Sequence, residues 1–211
     1  MPKVTEEHLQ ARRQQILDGA ASCFADRGFH QTTMNDICQA TDLSPGAIYR
    51  YFNGKEEIIE AMVDERRRQG MEHMKRAEER TDTIQALEET ARVFFAKLED
   101  PQGCALDIAI WSEAQSNPAV RARLRDSTRE IRSAIATVVK QVQEHGIINP
   151  ALDPEAVAEV HISFFEGLVL QRAIDPEVDI WKYLEVVRAI TYGEFSRNGV
   201  GGGSEDGRPS S

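Results

Sequence analysis

A short segment of the sequence, SPGAIYRYFNGKEEI at residues 44–58, carries side chains that proteins use to bind phosphate groups. Tyr49 and Tyr51 each provide a hydroxyl that can donate a hydrogen bond to a phosphate oxygen, and Arg50 and Lys55 provide positive charge. Arg50 could also reach the edge of a base in the major groove of DNA. These residue types predict contact with a nucleic acid duplex.

The first residues of this segment predict a helix N-terminus that can approach a phosphate. Ser44 suits the N-cap, and Pro45 suits the first helical position, where its missing N–H would have no partner. Gly46 has no side chain to keep the backbone away from an anion, and the free N–H groups of a helix start attract negative charge. Ala47, like Arg50, is a candidate for contact with base edges.

Helical signals precede this segment. An apolar stripe at helical spacing predicts a first helix over about residues 6–26, and Gly28 follows it in the position of a C-terminal cap. Thr33 and Asp36 have the spacing of a capping box, which predicts a short helix that ends at Thr41. From the start of that helix, Thr33 could also donate to a phosphate.

The segment itself predicts a second short helix and the start of a long one. The second short helix is expected to run from Ser44 to Phe52, and Asn53 with Glu56 predicts the cap of a long helix that ends near Arg80. Two short helices joined by a tight turn, between amphipathic helices, are typical of a helix-turn-helix unit. The second short helix of such a unit enters the major groove.

The remainder of the chain has the same helical periodicity, and no run of alternating β-branched residues occurs. We therefore predict an all-α fold with three parts. They are a three-helix DNA-binding head over residues 1–55, a larger helical body over residues 56–197, and a flexible tail over residues 198–211.

Charge is distributed unevenly between the two predicted domains. The chain has a formal net charge of −10, yet residues 1–55 contain six cationic and six acidic residues. The other residues contain 19 cationic and 29 acidic side chains. Because an acidic surface repels phosphates, only the neutral head could approach a nucleic acid without a large electrostatic penalty.

The sequence lacks the usual signatures of other classes of protein. No apolar run is long enough for a membrane span, and the charged N-terminal segment does not resemble a secretory signal, so we expect a cytoplasmic protein. No phosphate-binding glycine loop, G-x-S-x-G elbow or HExxH motif occurs, so we expect neither an enzyme nor a cofactor. Cys23, Cys38 and Cys104 lack metal-ligand spacing and are expected to be buried thiols, with a redox sensor as the alternative.

Two other interpretations remain open at this point. The aromatic residues Tyr49, Tyr51 and Phe52 could all be core residues of a small helical bundle, although two tyrosines separated by one residue cannot face the same way on a helix. In addition, the electrically neutral head is compatible with a helical protein-interaction adaptor that does not bind DNA. A salt-dependent DNA-binding measurement separates these possibilities.

The segment over about residues 9–60 resembles the N-terminal domain of the TetR family of ligand-gated transcriptional regulators. The residues that carry the resemblance are Phe24, Gly28, Phe29, Thr32, Thr33, Ser44, Gly46, Ile48, Tyr49, Tyr51, Phe52, Lys55, Glu56 and Ile58. Tyr51 occupies a position where many members have histidine, which keeps a group able to reach phosphate. The later stretch WSEAQSNPAVRARL resembles BetI-like C-terminal domains of the same family.

The resemblance implies a nine-helix homodimer that binds a palindromic operator and is released from it by a small-molecule effector, most often as a repressor. The long helix that joins head to body would transmit the effector signal, and the last two helices of each subunit would form the dimer interface. Gly167, in the middle of a predicted helix, is consistent with a close helix contact there. The candidate effector-binding residues are Met62, Phe94, Phe95, Asp107, Ile108, Trp111, Gln115, His161, Phe164 and Phe165.

Overall fold

The computed structural model describes residues 6–78 and 83–193, and this part of the chain contains only helices and connecting turns. The predicted all-α fold is therefore confirmed. The elements are α1 (Glu6–Gln31), α2 (Met34–Thr41), α3 (Pro45–Ile48), α4 (Lys55–Glu78), α5 (Thr83–Ala96), a 3₁₀ turn (Lys97–Glu99), α6 (Pro101–Ser116), α7 (Pro118–Glu144), α8 (Pro154–Ile174) and α9 (Ile180–Thr191). The tail predicted over residues 198–211 lies outside the described residues.

Short polar side chains and prolines determine where most of these helices begin. Thr33 and Asp36 form the predicted capping box of α2, because each side chain pairs with the backbone N–H of the other residue. Asn117 and Asp153 cap α7 and α8, and each is followed by a proline at the first helical position. These local preferences divide an otherwise continuous helical pattern into separate helices.

Gly28 interrupts the first helix, as the sequence predicts, because its φ of 75° lies in the left-handed region that glycine tolerates. Helical geometry then resumes as far as Gln31. Two other predicted boundaries are wrong. The helix that begins at Pro45 ends at Ile48, so Tyr49 to Tyr51 form a turn and not a continuation of the helix.

The second correction concerns the cap before α4. Glu57, and not Glu56, accepts hydrogen bonds from the Asn53 backbone N–H (2.8 Å) and from Asn53 Nδ2 (2.9 Å). Glu57 is one residue further along the chain and is the third residue of a helix that begins at Lys55.

The largest hydrophobic cluster joins the head to α6. Phe24, Ile37 and Phe52 of the head are at most 1% exposed and pack in the same cluster as Leu106 and Ile110 of α6. Burying each of these side chains contributes roughly 1.5–3 kcal/mol. Because α6 and the head share one continuous core, a displacement of α6 would also displace the head.

Two smaller clusters hold the body together. One joins α4 to α7 through Met74, Val138 and Val142, and the other joins Phe95 and Leu98 to α8 and the start of α9. The body therefore consists of helices packed around more than one apolar centre, which leaves space between the clusters.

Candidate DNA-binding face and effector cavity

The helix-turn-helix unit presents the N-terminus of α3 to solvent. Ser44 caps this helix, with its Oγ accepting from the Ala47 backbone N–H at 3.3 Å. Ser44, Pro45 and Gly46 are all exposed, and a Cβ atom built at Gly46 would have no atom within 4 Å. The backbone here is open to an approaching anion, as the sequence predicts.

The two tyrosines of the segment have different environments. Tyr49 is 51% exposed, whereas Tyr51 is partly buried and packs against the main hydrophobic cluster. Phe52 is 1% exposed, with the guanidinium of Arg13 5.0 Å from its ring centroid. Tyr49, together with the exposed Arg50, therefore supplies the accessible polar groups of this turn, and Phe52 is a core residue.

Lys55 serves mainly to hold the head together. Its Nζ donates to the backbone oxygens of Phe29 (2.8 Å) and Thr32 (2.9 Å), lies 3.4 Å from the oxygen of His30, and sits 4.5 Å from the centroid of the Phe29 ring. The three acceptors match the three donors of an ammonium group. This geometry occupies the group for which the sequence predicted a phosphate contact.

Thr33 is exposed and already takes part in the capping box. Its Oγ1 donates to Asp36 Oδ2 at 2.6 Å, and Arg27 Nη1 lies 3.0 Å from Asp36 Oδ1. Hydrogen bonds from the side chain and backbone of Thr33, together with the charge of Arg27, hold the pKa of Asp36 below its usual range. The phosphate contact predicted for Thr33 would require its hydroxyl to leave Asp36.

A cavity of about 770 Å³ lies within the body, bordered by α4 to α9 and by the side of α1. Its wall is mostly apolar, as is typical of small-molecule sites. Seven of the ten residues predicted to bind an effector line it: Met62, Phe94, Phe95, Asp107, Trp111, His161 and Phe165.

The other three predicted residues do not line this cavity. Ile108 packs into the cluster formed by Phe95, Leu168 and Ile180. Phe164 is not part of the cavity lining, and its backbone oxygen accepts from the Tyr183 hydroxyl at 3.3 Å. Gln115 is exposed and lines a groove between α6 and α7 that shares Trp111, Leu124, Thr128 and Glu166 with the cavity wall. In each case other residues of the same helix line the cavity instead. Helical periodicity in the sequence does not distinguish these residues from their neighbours.

The sequence did not identify the cationic side chains that line the cavity, which are Arg66, Arg67, Arg92, Lys97 and Arg188. Arg66 belongs to a run of three arginines, which favoured solvent exposure, but its Nη1 donates to Asp107 Oδ1 inside the body. Burial raises the pKa of Asp107, and the charges of Arg66 and Lys97 oppose that shift. Arg67 also lines the cavity and pairs with Glu130, with Nη1 2.8 Å from Oε2.

His161 lies at another part of the cavity wall and has both ring nitrogens occupied. Nδ1 lies 2.8 Å from the backbone oxygen of Val157, and Nε2 lies 2.9 Å from Thr191 Oγ1. The ring therefore links α8 to α9. A ligand that bound His161 would have to replace the contact with Thr191.

The described residues contain no group of three or more metal-binding side chains. Cys38 and Cys104 are buried, Cys23 is partly buried, and burial raises the pKa of Cys23 and Cys104. Across the same part of the chain, no helix combines the length and the hydrophobicity that crossing a bilayer requires.

Comparison with known proteins agrees with this geometry. Residues 16–62 match the family described as bacterial regulatory proteins of the tetR family, and residues 83–191 match the C-terminal domain of BetI-type transcriptional repressors. The HTH-type transcriptional regulator UidR of Escherichia coli K12 is 26% identical over 171 residues, which cover 78% of this chain and 83% of UidR.

Solved structures show the same fold. GusR of Salmonella enterica is 28% identical, with a TM-score of 0.73 over 92% of this chain and 98% of GusR. SmeT of Stenotrophomonas maltophilia, in a complex with triclosan, is 20% identical with a TM-score of 0.75 over 95% of this chain and all of that chain. These matches extend through both the helix-turn-helix unit and the body, and the chain belongs to the TetR family of transcriptional regulators, with a C-terminal domain of the BetI type.

Proposed function

We propose that the protein is a homodimeric, ligand-responsive regulator, most simply a repressor, whose two heads bind a palindromic operator and leave it when a small molecule enters the body. In this proposal residues 1–55 bind DNA and residues 56–197 bind the effector and the second subunit. The observation that carries the proposal is the open, exposed N-terminus of α3 on a helix-turn-helix unit, joined by one core to a helix of the cavity wall.

The DNA contacts are expected at the exposed turn. Tyr49 and Arg50 would contact phosphate or base edges, while the N–H groups at Gly46 and Ala47 would face a phosphate. Tyr51 and Lys55 are expected to hold this surface in position, since both contact the rest of the head. A head with few free cations binds weakly alone, so two heads at the spacing of half-sites are needed.

Two features of the last helices support a dimer. Large apolar side chains of α8 and α9 remain exposed in the single chain: Val160, Leu170, Ile174, Trp181, Val186 and Ile190. A Cβ atom built at Gly167 of α8 would have no atom within 4 Å, so a second helix could approach the backbone closely there. An apolar surface of this kind on a soluble regulator is expected to be covered by a partner.

The effector response is proposed to pass through α6 as well as α4. Asp107 and Trp111 of α6 line the cavity, and Leu106 and Ile110 of the same helix both line it and pack in the cluster that holds the head. A ligand that binds more tightly when α6 is displaced would shift the population toward a head spacing that no longer fits the operator. The structure of SmeT with triclosan supports binding of a small molecule by this fold.

The proposal is tested by fluorescence anisotropy with duplexes from the DNA upstream of the gene and with a scrambled duplex of equal length. We expect saturable binding of two subunits to a palindromic site, with affinity that falls steeply as salt rises. Equal affinity for the scrambled duplex, or no binding at low salt, would overturn the proposal and favour a protein-interaction adaptor.

The effector part has a separate test. Trp111→Ala and Phe94→Ala enlarge the cavity and should weaken release of the operator by a bound ligand while leaving binding of the free protein to DNA nearly unchanged. Loss of operator binding in these variants without any ligand would contradict the assignment of this cavity.

A further inference from the structure

The ion pair between Arg66 and Asp107 joins the two helices that connect the cavity to the head. Arg66 belongs to α4, which follows the head directly, and Asp107 belongs to α6, which shares the hydrophobic cluster of the head. Arg66 Nη1 donates to Asp107 Oδ1, and Nη2 donates to the backbone oxygen of Gly103, one turn earlier in α6, at 3.4 Å. The guanidinium therefore binds α6 at two successive turns, and all three residues line the cavity.

This pair lies where α4 and α6 leave their shared core. On the side of the head, Met62 of α4 and Ile110 of α6 belong to one hydrophobic cluster. Further from the head, Met74 of α4 packs in the cluster with α7, whereas Cys104 of α6 packs in the cluster with α8. Members of both of these clusters line the cavity. The ion pair is therefore a direct contact between the two helices at the point where they diverge.

The two helices are otherwise held by different neighbours. α4 packs mainly against α7, and α6 packs mainly against α1 and α8. Ion pairs strengthen the contact between α4 and α7, because Arg67 pairs with Glu130 and Arg123 pairs with Asp64, with N–O distances of 2.8 and 2.7 Å. The contact made by Arg66 thus links one unit, α4 with α7, to another unit, α6 with the core of the head.

The burial of this pair makes it costly to separate. The side chain of Asp107 is 18% exposed and that of Arg66 is 38% exposed, whereas Arg68 and Glu72 of an ion pair on the surface of α4 are 57% and 51% exposed. Charges that are partly removed from water attract each other more strongly, and loss of one partner leaves the other uncompensated. The link between α4 and α6 is therefore stronger than a surface ion pair would provide.

We propose that Arg66 and Asp107 are positioning residues for operator binding. By joining α4 to α6 in the cavity wall, their ion pair fixes the angle of each head relative to the body, and therefore the spacing of the two heads of a dimer. This role rests on the proposed function, and neither residue contacts DNA in it. Since both residues line the cavity, a ligand with a polar group that replaces either partner would remove the constraint and allow the head spacing to change.

The test measures the affinity of the full chain for two duplexes by fluorescence anisotropy. One duplex carries the complete palindromic operator, and the other keeps one half-site and has the second half-site scrambled. The half-site reports on a single head, whereas the complete operator also requires the correct spacing of two heads. Asp107→Asn should bind the complete operator about tenfold more weakly, which is within the usual range of coupling between sites, and should bind the half-site within about twofold of the unaltered protein.

Further variants assign this effect to the ion pair. Arg66→Gln should give the same pattern, and the doubly substituted protein should bind no more weakly than either single variant, because both changes remove one contact. Arg68→Gln is the matched control, since Arg68 pairs with Glu65 and Glu72 of its own helix, and it should match the unaltered protein on both duplexes. Circular dichroism verifies folding at the temperature of the measurement. If Arg66→Gln does not fold, the nearly isosteric Asp107→Asn decides.

Three results would overturn the positioning role. The first is a folded Asp107→Asn variant with the full affinity for the complete operator, as a purely structural contact predicts. The second is an equal loss of affinity on both duplexes, which would place the effect in the head itself. The third is losses that add in the doubly substituted protein. If the unaltered protein does not bind the operator specifically, the proposed function fails and this role fails with it, whereas specific binding by the unaltered protein with any of the three results rejects the positioning role alone.

Discussion

His30 Nε2 of the head lies 3.5 Å from Glu113 Oε2 of α6. The two side chains differ in environment, because His30 is largely exposed whereas Glu113 is 4% exposed. Glu113 Oε1 accepts from Asn117 Nδ2 at 3.0 Å, and among the described residues Oε2 has no hydrogen-bond donor. The imidazole is therefore the group that can compensate the buried oxygen, which places a polar contact at the junction between head and body.

Glu113→Ala should destabilise the protein by about 1–3 kcal/mol, since it removes a buried hydrogen bond from Asn117 and opens space in the packing between α6 and α1. The measurement is urea unfolding followed by circular dichroism. Ser112→Ala, at the neighbouring exposed position of α6, is the control and should change stability by less than about 0.5 kcal/mol. Equal stability of the two variants would show that the junction does not depend on this contact.

Arg50→Ala should make operator binding less sensitive to salt. Arg50 is exposed at the turn that follows α3, so its removal is expected to release fewer counterions on binding. The slope of log affinity against log salt concentration should become shallower by roughly 0.9 for each head that loses one phosphate contact. Arg125→Ala, on the exposed side of α7, should leave the slope unchanged. A variant with weaker affinity but an unaltered slope would indicate that Arg50 contacts a base edge instead.

Lys55→Met should have the opposite pattern, with a loss of stability and no change in the salt slope. The ammonium group binds the backbone oxygens of Phe29 and Thr32 and stabilises the turn after α1. Because Lys55 is only partly buried, we expect a loss of about 1–2 kcal/mol. Lys75→Met, at an exposed position of α4, is the control. A shallower salt slope for Lys55→Met would instead support the phosphate contact that the sequence predicts for Lys55.

Asp36→Asn should destabilise the head at neutral pH and progressively less in acid. The hydrogen bonds from Thr33, followed by the charge of Arg27, hold the pKa of Asp36 below its unfolded value, so the carboxylate form is the one that folding favours. That contribution is complete above the unfolded pKa of about 3.9 and is lost as the pH falls through the lower folded value.

The corresponding measurement is urea unfolding of both proteins from pH 7 down to the lowest pH at which the unaltered protein is folded. The difference between them should shrink below about pH 4. Asp26→Asn, at an exposed position of α1, should match the unaltered protein throughout. A difference that stays constant with pH would assign the effect to the shape of the cap and not to its charge.

The sequence was most informative where one short polar residue determines a local conformation. The predicted caps at Thr33 and Ser44 are both present, because each depends on neighbours within three residues. The structural contacts of Lys55 and Arg66 were missed for the opposite reason. Their partners, the oxygen of Phe29 and the carboxylate of Asp107, lie 26 and 41 residues away, and no local pattern indicates such contacts.

The same limit applies to the cavity. Helical periodicity identifies an apolar face but does not tell a residue that lines a void from a residue that contacts another helix. Phe165 lines the cavity, and its neighbour Phe164 does not. Only the tertiary arrangement of α8 against α9 separates them. The contact between Arg66 and Asp107 in the cavity wall likewise joins two helices that are far apart in sequence.

Replacing Val186 and Ile190 with aspartate should convert the proposed dimer into a monomer. The two residues are one turn apart on α9 and are 48% and 40% exposed, so the change costs the isolated subunit little. In a two-fold interface the new carboxylates of one subunit would lie close to those of the other subunit. Their charge repulsion adds to the loss of apolar contact. Sedimentation velocity should show half the mass, and operator affinity should fall by at least about tenfold because only one head would bind at a time.

Leu152→Asp, at an equally exposed apolar position before α8, is the matched control and should remain dimeric. A doubly substituted protein that still sedimented as a dimer would place the interface on another face of the body.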